Sequence, residues 1–259
     1  MARVSDKAMD LNGQSALVTG ASRGIGRAIA MALAEHGATV GVHYNSDEEA
    51  AEETAAALKG ENHWVIQADM ADPTAVIKLA DEAMTLLGGV DILVNNAGVY
   101  ELHPVVGSGT TAWLESWRWT MDVNLLGPAC LCHRLANHMA ERGSGRIINV
   151  TSRGAYRGEP QAPAYGAAKA GLNSLSQSLA QALAPHGVFV AAVAPGWVET
   201  DMTTELLAGE EGDAIRAQSP MQRAATSEEI ADVVLFLAST KALYMTGAVI
   251  DVNGASYLR

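Results

Sequence analysis

Seven short runs of apolar and β-branched residues recur along the chain, at 16–19, 39–43, 64–66, 92–94, 146–150, 188–193 and 248–252. Longer segments with helical apolar spacing separate them, at 26–36, 47–58, 73–87, 111–142, 163–184 and 227–238. Tight turns can join antiparallel neighbours, but a strand, a helix and a further strand require a crossover connection. The alternation therefore predicts an α/β fold with a seven-stranded parallel sheet, doubly wound, with helices on both faces. No short repeat of the solenoid kind is present. At 259 residues and 49% hydrophobic content the chain can bury a large core, and no linker-like or low-complexity run divides it. One domain spanning residues 1–259 is expected.

Charge narrows the set of partners. Lys and Arg number 17 against 29 Asp and Glu, a net charge of −12, which opposes a broad nucleic-acid or anionic-membrane footprint and favours small molecules. The longest stretch without Asp, Glu, Lys or Arg, 170–198, is broken by Asn173, Ser174, Ser176, Gln177, Ser178, Gln181 and Pro185 and does not read as a membrane span. The first ten residues carry Arg3, Asp6, Lys7 and Asp10 and lack the apolar core of a secretory signal, so a cytoplasmic location is expected. Cys130 and Cys132, two apart in a helical pattern, cannot bridge each other without distortion, and reduced packing residues are expected.

Two helical segments lack the charged outer face of a surface helix. Residues 113–139 place Trp113, Leu114, Trp117, Trp119, Leu125, Leu126, Leu131 and Leu135 around most of the circumference, and 163–184 has Lys169 as its only formal charge. Deep burial in one large core would explain this. A second copy of the chain packed on the segments 111–142 and 163–184 explains it better, and a homo-oligomer is expected.

Directly after the first strand comes Thr19-Gly20-Ala21-Ser22-Arg23-Gly24-Ile25-Gly26, leading into a helix. Glycines let backbone approach a pyrophosphate, and a helix start offers unpaired N–H groups and a positive dipole end. Gly20, Ser22, Arg23, Gly24, Ile25 and Gly26 are thus candidate dinucleotide contacts, although a glycine-rich structural turn would have the same composition. At the end of the second strand, where an acid would bond a ribose 2′-hydroxyl, the chain reads His43-Tyr44-Asn45-Ser46. With Arg23 for charge and Tyr44, Asn45 and Ser46 as donors, NADP(H) is preferred and NAD(H) is the alternative. Asp47 and Glu48 carry the opposite sign, but their place at a helix start suits capping.

Ser152 follows the fifth strand, and Tyr165 and Lys169 share a helix face at i and i+4. An ammonium near the phenol is expected to lower its pKa from about 10, making it a usable proton carrier, with Ser152 holding the same substrate oxygen. Pro128 lacks the N–H that would bond the carbonyl of Asn124, leaving that carbonyl for a relay water; an ordinary proline kink would leave the same mark. The seven histidines show no metal-cage spacing, and no metal is expected.

With the glycine turn, Asn95-Asn96-Ala97-Gly98, Ser152 and Tyr165-x-x-x-Lys169 in order, the sequence resembles the short-chain dehydrogenase/reductase family over about residues 10 to 255. The similarity extends to Asp69, to Pro195-Gly196 with Thr200, and to Pro220-Met221-Gln222-Arg223. It implies a single Rossmann-type domain and a tetrad of Asn124, Ser152, Tyr165 and Lys169. Tyr165 would exchange the proton, Lys169 would also bind nicotinamide ribose, and Asn124 would hold a relay water. It further implies Asp69 and Met70 beside adenine, Asn96, Ala97 and Gly98 on the ribose side, and Pro195, Gly196, Val198 and Thr200 at the nicotinamide end. Within the family the chain is most similar to the 3-oxoacyl-acyl-carrier-protein reductase type, typically an NADP-linked tetramer. The expected activity is hydride transfer between nicotinamide and a carbonyl or secondary alcohol, with 3-oxoacyl-thioester reduction in view. The alternative is an NADP(H)-binding sensor or regulatory subunit without turnover.

On the substrate side, Arg153 or Arg157 would meet an anionic or strongly polar group, although a surface or subunit salt bridge is the simpler expectation. Trp197, Glu101 and His103 are rim candidates. The segment 199–220, rich in acids and interrupted by Gly209 and Gly212, would be a substrate lid or a solvated loop.

Overall fold

The computed structural model describes residues 9–259, the side chain of Met202 apart. Residues 1–8, with Arg3, Asp6 and Lys7 of the charged N-terminal stretch, lie outside that range. The strands are β1 (Ser15–Val18), β2 (Thr39–Tyr44), β3 (Trp64–Gln67), β4 (Ile92–Asn95), β5 (Gly145–Val150), β6 (Val188–Pro195) and β7 (Val249–Val252). They form one sheet in the order β3-β2-β1-β4-β5-β6-β7, and every neighbouring pair is parallel. The helices are α1 (Gly24–Glu35), α2 (Glu48–Ala57), α3 (Pro73–Leu86), α4 (Thr110–Met121), α5 (Gly127–Arg142), α6 (Gly154–Arg157), α7 (Pro163–Leu183), α8 (Asp201–Ala208), α9 (Gly212–Arg216) and α10 (Ser227–Ala238).

Successive residues of a strand point to opposite faces, and here both faces are covered. Val18, Val40, Val94 and Ile148 pack with Ile29 and Leu33 of α1 and Ile230 and Val234 of α10. Their neighbours Leu17, Leu93 and Ile147 pack on the other side with Leu79 of α3 and Leu131, Leu135 and Met139 of α5. The central strands thus need apolar side chains at every position, and β1, β4 and β6 are buried throughout. β3 and β7, at the sheet margins, are only partly covered.

Helix starts follow the residues that can cap them. Asp47 accepts the Ala50 N–H (3.1 Å) and Asp72 the Thr74 N–H (2.8 Å), while Thr226 and Glu229 form a reciprocal capping box on α10. Asp47 therefore does what its position at the head of α2 suggests. The first turn of α1, like those of α4, α5 and α7, has neither a side-chain cap nor an acid.

The expected helix 111–142 is not continuous. Residues Asp122–Leu126 form a π-helical turn between α4 and α5, with the Gly127 N–H bonded to the Asp122 carbonyl five residues back. Two local features favour the wider turn. Pro128 cannot donate to the α-helical ladder, and Gly127 lies so close to Met70 that an added Cβ would sit 2.4 Å from the Met70 carbonyl oxygen. The turn also swings the Asn124 side chain, fully buried, onto the loop after β4.

The strand order places the site. β1 lies between β2 and β4, so the chain leaves β1 toward one side of the sheet and leaves β4 toward the other. The loops diverge there and open a crevice at the carboxyl ends of the strands. Glycine-turn residues, Asn96–Gly98, Ser152 and Pro195–Thr200 all follow strand ends on that edge.

Leu131 of α5 is fully buried in the second core group. Leu131→Ala is expected to lower the unfolding free energy by roughly 2–5 kcal/mol, read as a shifted denaturant midpoint at unchanged slope.

Candidate active site

The glycine turn is compressed against its neighbours. A Cβ on Gly26 would sit 2.1 Å from the Gly20 carbonyl oxygen, and one on Gly20 would sit 2.9 Å from the Ala97 Cα. Gly24 adopts φ +54, in the left-handed region, and faces the Thr200 methyl, which lies 3.3 Å from where its Cβ would be. Larger residues would fill the cradle that the backbone N–H groups at the start of α1 need to present to a phosphate. Arg23, exposed at the N-cap, makes no ion pair among the described residues.

Several residues expected to touch a ligand instead hold this turn. Asn96 donates from Nδ2 to the carbonyls of Thr19 (2.9 Å) and Gly20 (3.1 Å), and the N–H groups of Asn96 and Ala97 both donate to the Thr19 hydroxyl (3.0 Å). The Ser22 carbonyl accepts from Thr54 of α2 (3.0 Å). His43 carries no sequence signal, yet it accepts the Gly20 N–H on Nδ1 (3.0 Å), so its proton lies on Nε2, 3.1 Å from the Ala68 carbonyl. A histidine inside a strand gives no pattern that announces such a stitch.

At the end of β2 Asn45 and Ser46 are exposed, whereas Tyr44 is buried. Burial raises its phenol pKa, and so do Glu48 and Glu52 beside it. Asp69 accepts the Ala71 N–H (2.9 Å). Met70 is buried in the core, so its side chain is a packing group and only its backbone is available to a ligand.

The four expected tetrad residues come from three places: Asn124 from the π turn, Ser152 from the loop after β5, and Tyr165 and Lys169 from α7. Asn124 binds Val99 twice, accepting its N–H on Oδ1 (2.9 Å) and donating from Nδ2 to its carbonyl (2.8 Å). Lys169 is almost fully buried and donates to the Val150 carbonyl (2.9 Å), with Nζ 5.7 Å from the Tyr165 ring centroid. A Cβ on Gly98 would sit 3.0 Å from Asn124 Oδ1 and 3.4 Å from Lys169 Nζ, so bare backbone at that position leaves room above the amine. Ser152 accepts the Gly154 N–H (3.0 Å) on its hydroxyl oxygen, leaving the hydroxyl proton free. Tyr100 meets Tyr165 edge to face at 5.0 Å.

The electrostatics differ from the sequence expectation. Tyr165 is not acidified: burial pushes it up to about 12, with the Ser152 hydroxyl pulling down and Glu159 and Tyr100 pushing further up. Lys169 is pushed down to about 8, also by burial. Desolvation disfavours the charged form of both groups and outweighs their attraction across this distance. A phenol at about 12 keeps its proton at neutral pH.

His103, expected at the rim, is buried and caps α7: its Nε2 accepts the Ala164 N–H (3.0 Å), and its Nδ1 stands 2.8 Å from the Glu101 carbonyl. Arg153 is buried as well, and it, Arg157 and Trp197 converge on Gln218. The Arg153 N–H also bonds the Pro195 carbonyl (2.9 Å), joining the loops after β5 and β6. Gly196 is packed so that a Cβ would lie 3.0 Å from the Asn253 Cα, Val198 is buried, and Thr200 starts α8 with a capping box to Thr203. Among the described residues no His, Cys, Asp and Glu group could hold a metal ion, and no helix is long and apolar enough to cross a membrane.

The buried, neutral His43 sets a pH dependence. Its pKa falls from 6.5 to about 4, chiefly through burial, so the unfolded chain binds the extra proton first. Its contribution is complete above about pH 6.5 and is lost toward pH 4, by about 3 kcal/mol. Denaturant titrations of the protein and of His43→Gln are expected to show a stability gap at pH 7 that narrows by pH 4.

Residues 20–255 match the family described as enoyl-(acyl carrier protein) reductase. The chain is 40% identical over 247 residues to a 3-oxoacyl-[acyl-carrier-protein] reductase FabG of Staphylococcus aureus, spanning 95% of this chain and 98% of that protein. It superposes with a TM-score of 0.88 on a dehydrogenase/reductase of Sinorhizobium meliloti, 31% identical, covering 98% of each chain. A short-chain dehydrogenase of Burkholderia cenocepacia, in complex with NADP, gives 0.86 at 33% identity, over 95% of this chain and 99% of that one. The family match over residues 20–255, the 40% identity over most of both chains and the superpositions agree, and the chain belongs to the short-chain dehydrogenase/reductase family.

Proposed function

We propose that the protein is an NADP(H)-dependent oxidoreductase that moves hydride between nicotinamide and a carbonyl or secondary alcohol. The observation that carries this is the meeting of Ser152, Tyr165 and Lys169 beside the side-chain-free backbone of Gly98, next to a crowded glycine turn at the uncapped start of α1. The relative from Burkholderia cenocepacia, in complex with NADP, supports the cofactor, as do the exposed Arg23 and the lack of an acid at the end of β2. Asp69 with the Met70 backbone would flank adenine, the α1 N-terminus would hold the pyrophosphate, and Lys169 with Gly98 would border the nicotinamide ribose. When bound, the nicotinamide supplies the hydride donor or acceptor and, oxidised, a positive charge near the phenol.

In reduction Tyr165 donates its proton to the carbonyl oxygen, and Ser152 donates a hydrogen bond to the same oxygen, stabilising the charge that develops there. Lys169, still largely protonated at neutral pH, limits the cost of phenolate formation. Asn124 fixes the Val99 backbone beside this group. The segment 199–220 closes over the substrate: α8 is exposed on nearly all sides, and Thr200 at its start touches the glycine turn. The relative of the 3-oxoacyl reductase type puts oxoacyl thioesters among the carbonyls to be tried.

Tyr165→Phe is expected to lose roughly 10²- to 10⁴-fold in carbonyl reduction, followed by NADPH absorbance, while NADPH still raises its melting temperature. Thermal protection with no turnover of any carbonyl or alcohol, even in the unaltered protein, would favour the sensor alternative.

We also propose a cytoplasmic homo-oligomer, a dimer through α4–α5 and α7 or a tetramer. Leu114, Trp119 and Leu126 are exposed apolar groups on the first face, and the outer positions of α7 include Ala167, Ser174, Gln177, Ser178 and Gln181, none charged. Sedimentation at micromolar concentration is expected to show a species larger than 27.1 kDa; monomer alone overturns this.

A further inference from the structure

Granted the oxidoreductase reading, on which this rests, we infer that the carbonyl substrate carries a carboxylate. Arg153 and Arg157 bind it where the Gln218 side-chain oxygen now stands. Arg153 is 5% exposed, and one guanidinium nitrogen donates to Gln218 while the other, NH1, is buried with no partner among the described residues. A buried guanidinium needs acceptors for its fork of donors, and an unpartnered charged donor is where an incoming anionic acceptor gains most. Burial and the neighbouring Arg157 also lower its pKa to about 10, so it remains cationic in a setting that an anion would relieve.

The chain's own acids do not fill this role. Arg153 lines a cavity of about 270 Å³ together with Trp197. Glu229 and Asp251 line it too, but Glu229 is clasped by both terminal nitrogens of Arg223 (2.7 and 2.6 Å) and Asp251 by Arg259 (2.8 Å). Glu159 is the remaining acid near the two arginines among the described residues; it forms no ion pair with them and is itself partly desolvated beside Tyr100. Two guanidinium groups against one carboxylate leave a local positive charge in a protein of net charge −12.

Gln218 shows where the donors converge. Its one amide oxygen accepts from Arg153, from Arg157 (3.0 Å) and from the Trp197 indole (3.3 Å). Three donors, two of them charged, on a neutral oxygen form the pattern that a carboxylate oxygen satisfies better. Gln218 is exposed and belongs to the proposed lid, so it can leave with that segment. Arg153 follows Ser152 directly on the loop after β5, and Arg157 lies one helical turn further on, so an acid group held by them belongs to the same substrate as a carbonyl at Ser152 when the two groups are separated by a short chain. That fits short oxo acids.

The experiment compares 2-oxobutanoate, 3-oxobutanoate and 4-oxopentanoate with their methyl esters, and with the N-acetylcysteamine thioester of 3-oxobutanoate, at saturating NADPH. At least one acid is expected to exceed its ester in kcat/KM by about 10- to 100-fold, the worth of a charged hydrogen bond. That ratio should collapse toward unity in Arg153→Gln and in Arg157→Gln, through KM more than kcat. Esters or thioester reduced as well as the acids, or a preference that survives both substitutions, overturns the inference and leaves the oxidoreductase reading standing. No reduction of any of these carbonyls or of simple neutral ketones, with NADPH bound, overturns both. Should Arg153→Gln fail to fold, the exposed Arg157 carries the test.

Discussion

The Lys169 ammonium donating to the Val150 carbonyl is the interaction around which the site is arranged. It fixes a buried cation at the end of β5, where the same strand delivers Ser152, and it pins α7 so that Tyr165 faces that hydroxyl. An amine in this position needs a satisfied hydrogen bond, because burial without one costs several kcal/mol. The backbone of β5 supplies it. Helix, strand and loop are thus held in register by one charge, and the room over that charge exists because Gly98 has no side chain.

The same burial decides the chemistry of the phenol. Proximity of an ammonium to an aromatic hydroxyl is commonly read as acidification, but both groups here have lost water, and each resists becoming or staying charged. The protein by itself therefore stores a proton on Tyr165. Ionising that group in the reverse reaction draws on the nearby Lys169 cation, and positive charge brought in with a bound cofactor would lower the cost further.

Much of the architecture is legible in the sequence because parallel sheets buried on both faces leave continuous apolar runs. All seven strands fall within two residues of where those runs lie, and α10 begins at its capping residues. The features that escape such reading are long-range. The π turn depends on Met70 pressing against Gly127, two segments distant in sequence, so only Pro128 hints at it. His43, His103 and Gln218 act through backbone or side-chain atoms brought near by the fold, and no local spacing foretells such contacts. Position along the chain points Asn96 and Met70 toward a ligand, yet the side chain of each serves the scaffold. The sign of the Tyr165 shift is hidden for a related reason: helical spacing reports proximity and says nothing about hydration.

A π turn amounts to an α-helix with one residue too many, and that surplus has a consequence for how this chain can change. Shortening 122–126 by a single position would let α4 and α5 merge into an ordinary rod, the two halves keeping their facing because the wide turn is what absorbs the extra residue. Asn124 would then swing off the Val99 backbone, whatever residues were retained. Spacing, more than chemical identity, is what this stretch must conserve.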